Sequence, residues 1–455
     1  MSYDAAPGHE VGVAAPSYEQ LAEALVGLAA RPLPDEVTRA AGRTLFNVLT
    51  VALGAAGTPE VSRLAAALAA PDGVPAAPGI ETLAGEADAA LLTGFAAHLD
   101  DYDDTHLRTV IHPGAAGLGA AWAVSHSARR TGPELLAAYA VGAEFQLRLG
   151  NAVSPEHYDR GWHITGTCGV LGAAVTAGLL LGLAPDRLAD TLRLASVQML
   201  GHREAFGTEV KPFHPGRAAA NGVIAARRAA TSSYGTPVGI GPLLGALAPD
   251  RSDPAELLDG LGERWELLAN TFKPYPCGIV AHPGIDAAIQ AHAAGIVPTR
   301  VVAVDYRCHP LVPELMGRRT PRTGLETRFS AVHGVAAGLA TGAGGLAQFS
   351  DAAAVDPTLT ALRGRVTLRP SETIARNAAA LEIETDDGRT VEVVVTHARG
   401  SLDRPLTDEE LVDKAEALVP GRARAIWDGV RRLRAPESPG SLPELLAGDR
   451  IEVGR

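Results

Sequence analysis

Lysine is almost missing from this chain: of the 40 basic residues among 455, only Lys211, Lys273 and Lys414 are lysine, and arginine holds the remaining positions. An ammonium is a compact charge whose pKa moves on burial, so single lysines inside Gly/Pro/His-rich stretches point to a need for that group, with chance placement as the alternative. Cysteine is as scarce. Cys168, Cys277 and Cys308 are odd in number and widely spaced, which fits neither a disulfide framework nor a zinc site. Aromatics are only 4% of the chain, and the abundant Ala and Leu favour close helix–helix packing. No apolar run reaches the roughly 18 to 20 residues that span a bilayer. The start, MSYDAAPGHEVG, carries neither a basic region nor an apolar stretch, so a cytoplasmic protein with no membrane partner is expected. A net charge of −12 without any Lys/Arg-rich run argues against nucleic acid as a partner. HExxH, CxxC, P-loop and GxSxG patterns are missing too, as is a strand–GxGxxG–helix unit, which leaves metal and nucleotide chemistry without their usual sequence support.

What is present reads as mainly α. From Tyr18 to about Ala269 apolar residues recur at three- and four-residue spacing, as in Leu21, Leu25 and Leu28. Helices are expected at roughly 87–100, 113–128, 133–150, 166–183, 186–199 and 216–231, an all-α region. Near residue 270 the character changes. Val301–Cys308 and Arg365–Leu368 read as strands, and Leu381–Thr385 with Thr390–Val395 as a hairpin turning through Asp386-Asp387-Gly388, with a helix at about 327–342. The tail returns to helix behind Thr407 and Glu410, which have capping-box spacing. Two domains follow: 1–269 all-α, completed by 402–455, and 270–401 α+β.

Four stretches carry candidate chemistry. HLDDYDDTH at 98–106, followed by His112-Pro113-Gly114, packs four carboxylates into five residues. It reads as a solvated acidic turn, as the acidic wall of a pocket, or, through the DDxxD spacing of Asp100, Asp101 and Asp104, as the magnesium site of a prenyl-diphosphate enzyme. GWHITGTC at 161–168 sets His163 just before a helix whose first-turn amides would attract a carboxylate, beside an imidazole suited to proton transfer. GTEVKPFHPGRAAAN at 207–221 gathers Lys211, His214 and Arg217 at a helix mouth, either an anion pocket or surface salt bridges. FKPYPCGIVAHPGID at 272–286 places Lys273 and His282 at either end of a rigid loop between the domains, where ligands commonly bind; Cys277 there reads as buried rather than nucleophilic.

In this order, DYDDTH with its following His-Pro, GWHITGT, KPFHPGRAAANG and FKPYPCGIVAHPGIDAA resemble the MmgE/PrpD family, over about residues 18 to 440. The resemblance implies a large helical domain, a smaller α+β lid, a cleft between them and a homodimer. It also implies a cofactor-independent lyase acting on a small polycarboxylate, as in 2-methylcitrate dehydratase, cis-aconitate decarboxylase or iminodisuccinate epimerase. By motif, Asp101 and Thr105 would sit at the pocket, His112 and His163 would transfer protons, and Lys211 and Lys273 would hold substrate carboxylates. His214, Arg217, His282 and His333 are further substrate-binding candidates. Dehydration of a 2-methylcitrate-like hydroxy acid is the first expectation, with decarboxylation and epimerisation as alternatives and a binding-only protein outside them. Three departures from the decarboxylase branch bear on that order: a stretch from Thr105 to His112 one residue longer, Gly278 where the branch carries histidine, and His333 where it carries tyrosine.

Overall fold

The computed structural model describes residues 14–235 and 239–447. The stretch 1–13, on which the reading of a leader rested, lies outside the described residues, as does 448–455.

Helices start where the sequence supplies caps. Ser17 with Gln20, Thr131 with Glu134 and Thr407 with Glu410 each form a complete capping box, satisfying amides that no helical carbonyl can reach. Five helices form the centre: Glu86–Leu99, Pro113–Ala128, Gly132–Val153, Ile164–Leu180 and Val210–Thr231. They are buried almost all round and rich in Ala and Gly, so their backbones approach closely. The tightest approach positions the site. A Cβ on Gly216 would meet Leu91 O at 2.5 Å and Phe95 N at 3.0 Å, and one on Gly94 would meet the Gly216 Cα at 2.9 Å. Glycine at both places lets the end of Glu86–Leu99 lie against the start of Val210–Thr231.

Apolar side chains form two large clusters. One draws on Tyr18 to Phe272 and again on Leu406 to Leu446, and within it the helix Asp408–Leu418 packs on Asp35–Ala55. The other draws on Tyr275 to Val395. There a four-stranded sheet runs in the order Val366–Pro370, Val301–Cys308, Ala379–Thr385, Thr390–Val395; the first pair is parallel and the others antiparallel. Helices His282–Ala293 and Ala331–Thr341 pack together, the former also against the last two strands. The molecule is mainly α with a mixed sheet in its C-terminal part, and no helix among the described residues is long and apolar enough to cross a membrane.

Two corrections apply to the helical region. It is not all-α: Ala69–Ala77 and Ile80–Ala84 form an antiparallel hairpin. Pro71 and Pro75 deny helical hydrogen bonds to this Ala-rich stretch, and Pro78-Gly79 makes the turn, with Gly79 at φ +76°. A second short ladder pairs Asp104–His106 with Asn270–Phe272, in the register Thr105 with Thr271, and carries the acidic segment to the mouth of the second cluster. The helix expected at 216–231 begins instead at Val210, with Pro212 in its first turn and Pro215 inside it. Lys211 and His214 are therefore helical residues, not loop residues.

Replacing Gly216 by Val should lower the thermal midpoint, at a cost of about 1–3 kcal/mol for overpacking. Gly364→Ala, where an added Cβ meets nothing within 4 Å, should leave it unchanged or raise it. Equal midpoints for the two variants would show that the close approach does not matter.

Candidate active site

The acidic segment is not solvated. Asp100, Asp101, Asp103 and Asp104 are all at most 5% exposed, which removes the reading as a surface turn. Buried carboxylates survive only with partners, and each has its own. Asp100 accepts from Arg328 Nη2 at 2.7 Å, while Nη1 of the same arginine donates to Leu99 O. Asp104 accepts from Gly114 N at the start of Pro113–Ala128 and from Asn270 Nδ2 at 2.7 Å. Asp103 sits between two imidazoles, 2.6 Å from His98 Nδ1 and 3.0 Å from His112 Nδ1.

Asp101 has the most demanding position. Its backbone is left-handed at φ 49°, a conformation that costs a non-glycine residue energy of order 1–3 kcal/mol. Two ammoniums hold it. Lys211 pairs with its Oδ1, and Lys273 Nζ lies 3.0 Å from the same oxygen and donates to the Asp101 carbonyl at 3.1 Å. Lys211 also reaches His98 Nε2 at 2.9 Å and lies 5.5 Å from the ring centres of Phe206 and Phe329. The third lysine converges on the same segment. Lys414, from Asp408–Leu418, donates to Tyr102 O at 2.6 Å and to Asn47 Oδ1 at 2.8 Å; burial pushes its pKa down to about 7.

A cavity of about 50 Å³ opens at this point, lined by Asp101, Thr105, His112, His163, Lys211 and Lys273. All six are among the positions expected from sequence. Gly278, noted in the sequence, lines it too, while Tyr158 and Phe206 on one side and Met316 and Phe329 from the second cluster's side were not foreseen. A side chain at Gly278 would run into Met316 Sδ at 2.3 Å, so methionine fills that wall.

His163 precedes Ile164–Leu180 and makes no capping bond; its Nδ1 faces His214 Nδ1 at 2.9 Å. Of the amides that open this helix, Gly166 N and Thr167 N both donate to His163 O. Thr165 accepts from His112 N at 3.1 Å, and Thr167 binds His157 Nε2 at 2.8 Å.

Three expected residues lie elsewhere. Arg217 is exposed: six residues after Lys211, it is rotated about 120° around the helix from that side chain. His333 is buried among Gln348 O at 2.7 Å and Arg363 Nη1 at 2.9 Å, within the second cluster. His282 faces Cys277 O at 3.3 Å and lines a neighbouring pocket. His214 is not a cavity wall but touches one through His163. Cys277 is buried and its thiol is pushed up by that burial, as expected of a structural cysteine.

The magnesium reading fails on geometry. Asp100, Asp101 and Asp104 point to an arginine, two lysines and a helix start, not to one another. The donors that do converge within 4.8 Å are His98, Asp101, Asp103 and His112, but a dication there would face two ammoniums, with His98 Nε2 and both Asp103 oxygens already engaged.

Burial makes this a site of neutral imidazoles. It lowers His112, against the opposing charge of Asp103, and His163, where Lys211 adds to the effect; His98 falls to about 3. Burial would raise the Asp101 carboxyl, but Lys211 and then Lys273 outweigh it and hold it well below the usual range. Asp103 is likewise held low against its burial, by His112 and then His98. Lys211 is lowered by burial, with Asp101 opposing.

Residues 19–240 match the family model of the MmgE/PrpD N-terminal domain, and residues 275–427 that of the MmgE/PrpD C-terminal domain. The chain belongs to the MmgE/PrpD family. Among its relatives, human cis-aconitate decarboxylase is 27% identical over 368 residues, covering 76% of this chain and 74% of the relative. The mouse cis-aconitate decarboxylase is 27% identical over 389 residues, 80% and 79% of the two chains. The Aspergillus terreus protein of that name is 29% identical over 209 residues, 42% of each. Five of the six lining residues lie within the first matched region, and Lys273 lies between the two, just ahead of the second.

Neutral buried histidines make stability fall with acid. His98 and His282 are pushed down to about 3, and His157, His214 and His333 to about 4, from an ordinary 6.5. Lowered folded-state values mean that their contribution is complete above pH 6.5 and is lost as pH falls below it. Asp104, raised by burial to about 7 from 3.8, acts oppositely, favouring the fold below 3.8 and losing that contribution as pH rises through 7. Five groups outweigh one, so the thermal midpoint should drop steadily from pH 6.5 to 4.5 in calorimetry. A flat or rising midpoint would contradict the neutral-imidazole site.

Proposed function

We propose that the chain is a lyase that moves a proton at a carbon beside a carboxylate of a small polycarboxylate, without a cofactor. One observation carries the reading: two imidazoles, His112 and His163, and two ammoniums, Lys211 and Lys273, line one buried cavity. A carbon acid next to a carboxylate loses its proton only when the enolate charge meets fixed cations, and ammoniums in a water-poor site supply them. One histidine carries the proton at carbon, the other serves the leaving group, and Thr105 and Asp101 orient substrate and lysines.

Two cleavages fit this machinery. Dehydration of a 2-methylcitrate-like hydroxy acid is favoured by imidazoles that rest neutral and can act as bases. Decarboxylation of an unsaturated tricarboxylate is favoured by the relatives, which are named cis-aconitate decarboxylase. At about 50 Å³ the cavity is well below the roughly 300 Å³ or more of a usual small-molecule site, too narrow as it stands for a tricarboxylate. Segment 270–401, which supplies Lys273, Gly278, Met316 and Phe329, is proposed as the lid that moves aside to admit it.

The test is NMR in deuterated water of EDTA-treated protein with 2-methylcitrate, citrate, cis-aconitate and iminodisuccinate. One of these should be converted: dehydration shows as loss of the C–H beside a carboxylate with formation of a double bond, and decarboxylation or epimerisation as deuterium placed on that carbon. His163→Ala should lower kcat about 100-fold or more, the usual worth of a general acid–base group, with an unchanged circular dichroism spectrum. Near-normal turnover in that variant, or no conversion of any compound, would overturn the reading.

The homodimer is proposed on a second ground. Val197, Leu200, Val210 and Phe213 are exposed apolar side chains within one stretch beside the site, with Trp162 next to them. A second copy meeting this face by two-fold symmetry would cover it. Leu200→Asp should then halve the mass seen by light scattering, and a wild-type monomer at micromolar concentration would refute the dimer.

A further inference from the structure

Two residues that do not line the cavity, Asp103 and His98, complete a hydrogen-bonded chain whose ends both do. The chain runs from Lys211 Nζ to His98 Nε2 at 2.9 Å, from His98 Nδ1 to Asp103 Oδ2 at 2.6 Å, and from Asp103 Oδ1 to His112 Nδ1 at 3.0 Å. All four members are buried. We infer that Asp103 and His98 are positioning residues that lock His112 in one tautomer, so that its Nε2 is the atom that carries the proton to or from substrate carbon. This inference rests on the proposed proton chemistry and deepens it.

The direction of every bond follows from the first. An ammonium can only donate, so His98 Nε2 accepts and the proton of that ring resides on Nδ1. His98 Nδ1–H therefore donates to Asp103. An ionised carboxylate can only accept, so its second oxygen takes a proton from His112 Nδ1. His112 is left with a bare Nε2, which has no hydrogen-bond partner among the described residues and belongs to a cavity-lining ring. Asp103 accepts from two imidazoles and lies 3.9 Å from Lys273 Nζ, surroundings that keep it ionised.

The electron balance assigns a role to each group. In dehydration the Nε2 lone pair of His112 takes the proton, the C–H pair becomes the enolate, and the new imidazolium charge lies against the Asp103 carboxylate. Expulsion of hydroxide uses that pair to form the double bond, and the hydroxide becomes water with a proton from His163, which must first have gained one from solvent beside the bound polyanion and returns to the neutral ring. In decarboxylation the same nitrogen works in reverse. The C–C pair left on carbon as carbon dioxide departs takes the proton from Nε2 of a protonated His112. His163 has no comparable anchor: among the described residues its ring hydrogen-bonds only to another imidazole, His214, so that pair can hold its shared proton on either Nδ1. Lys273, Asp101, Asp104, His163 and Lys414 are the other titratable groups near the chain, and none interrupts it.

The deciding measurement needs no substrate. Nitrogen-15 NMR of wild type with labelled histidine, assigned through His112→Gln, should show His112 protonated at Nδ1 and bare at Nε2. The opposite tautomer overturns the inference. Asp103→Asn puts an amide N–H where one imidazole donated, so His112 should turn to the Nε2–H form. With whichever of cis-aconitate or 2-methylcitrate the wild type converts, kcat should fall at least about 100-fold while KM stays within threefold. The limb that His112 sets, the acid limb in dehydration and the alkaline limb in decarboxylation, should move to lower pH, because the imidazolium has lost its counter-charge. His98→Gln keeps an acceptor for Lys211 but loses the bond to Asp103, whereas His98→Asn keeps a donor toward Asp103. The Asn variant should recover at least tenfold of what the Gln variant loses. Wild-type kcat and an unmoved profile in Asp103→Asn also overturn the inference. If His112→Ala is inactive in that case, only the relay is lost. If His112→Ala and His163→Ala both turn over normally, the proton chemistry itself is wrong.

Discussion

Three buried ammoniums converge on one buried acidic segment, and the rest of the structure depends on that meeting. An unpaired charge inside a protein costs several kcal/mol, so neither the lysines nor the aspartates could occupy this interior alone. Asp101 takes both Lys211 and Lys273, and Lys414 binds the carbonyl of the next residue. This pairing pins Asp101 in a left-handed turn and ties together Glu86–Leu99, Val210–Thr231, the Lys273 loop and Asp408–Leu418. It also explains why a chain that uses arginine everywhere else keeps lysine here. A compact ammonium fits beside a second ammonium on one carboxylate oxygen, where a planar guanidinium would need a wider, bidentate partner.

The helical scaffold is built to permit this approach. Gly94 and Gly216 leave no side chain between the two helices that carry the acidic segment and Lys211, so ion pairing and backbone contact are satisfied at once. On the opposite side Arg328 reaches from the second cluster to Asp100 and Leu99 O, so that wall is joined to the same segment by charge. The surrounding imidazoles stay neutral because burial and nearby ammoniums both disfavour a further positive charge. The result is a cavity with fixed cations and uncharged bases, the combination that enolate chemistry requires.

The cavity wall formed by Gly278 and Met316 carries no titratable group: methionine sulfur occupies the space that a side chain at position 278 would fill. His333 serves the second cluster by binding Gln348 and Arg363.

Most helices were legible because a 3.6-residue apolar period and capping pairs such as Thr407 with Glu410 are local signals. The strand run Val301–Cys308 and the hairpin beyond it were legible for the same reason. The hairpin at 69–84 was not, since its alanines mimic helix and only Pro71, Pro75 and Pro78-Gly79 speak against it. At the site, the family resemblance carried by the four motifs singled out Asp101, Thr105, His112, His163, Lys211 and Lys273. Tertiary structure decided what each touches. It separated four adjacent aspartates onto four sets of partners, turned Arg217 outward, and removed His282 and His333 from the cavity. It also brought His98, Asp103 and Lys414 into play, and nothing in their own spacing marks them. Charge and residue type are properties of the sequence. Which carboxylate meets which cation, and which nitrogen of an imidazole keeps its proton, depend on contacts between residues far apart in the chain, and only the packed helices bring those together.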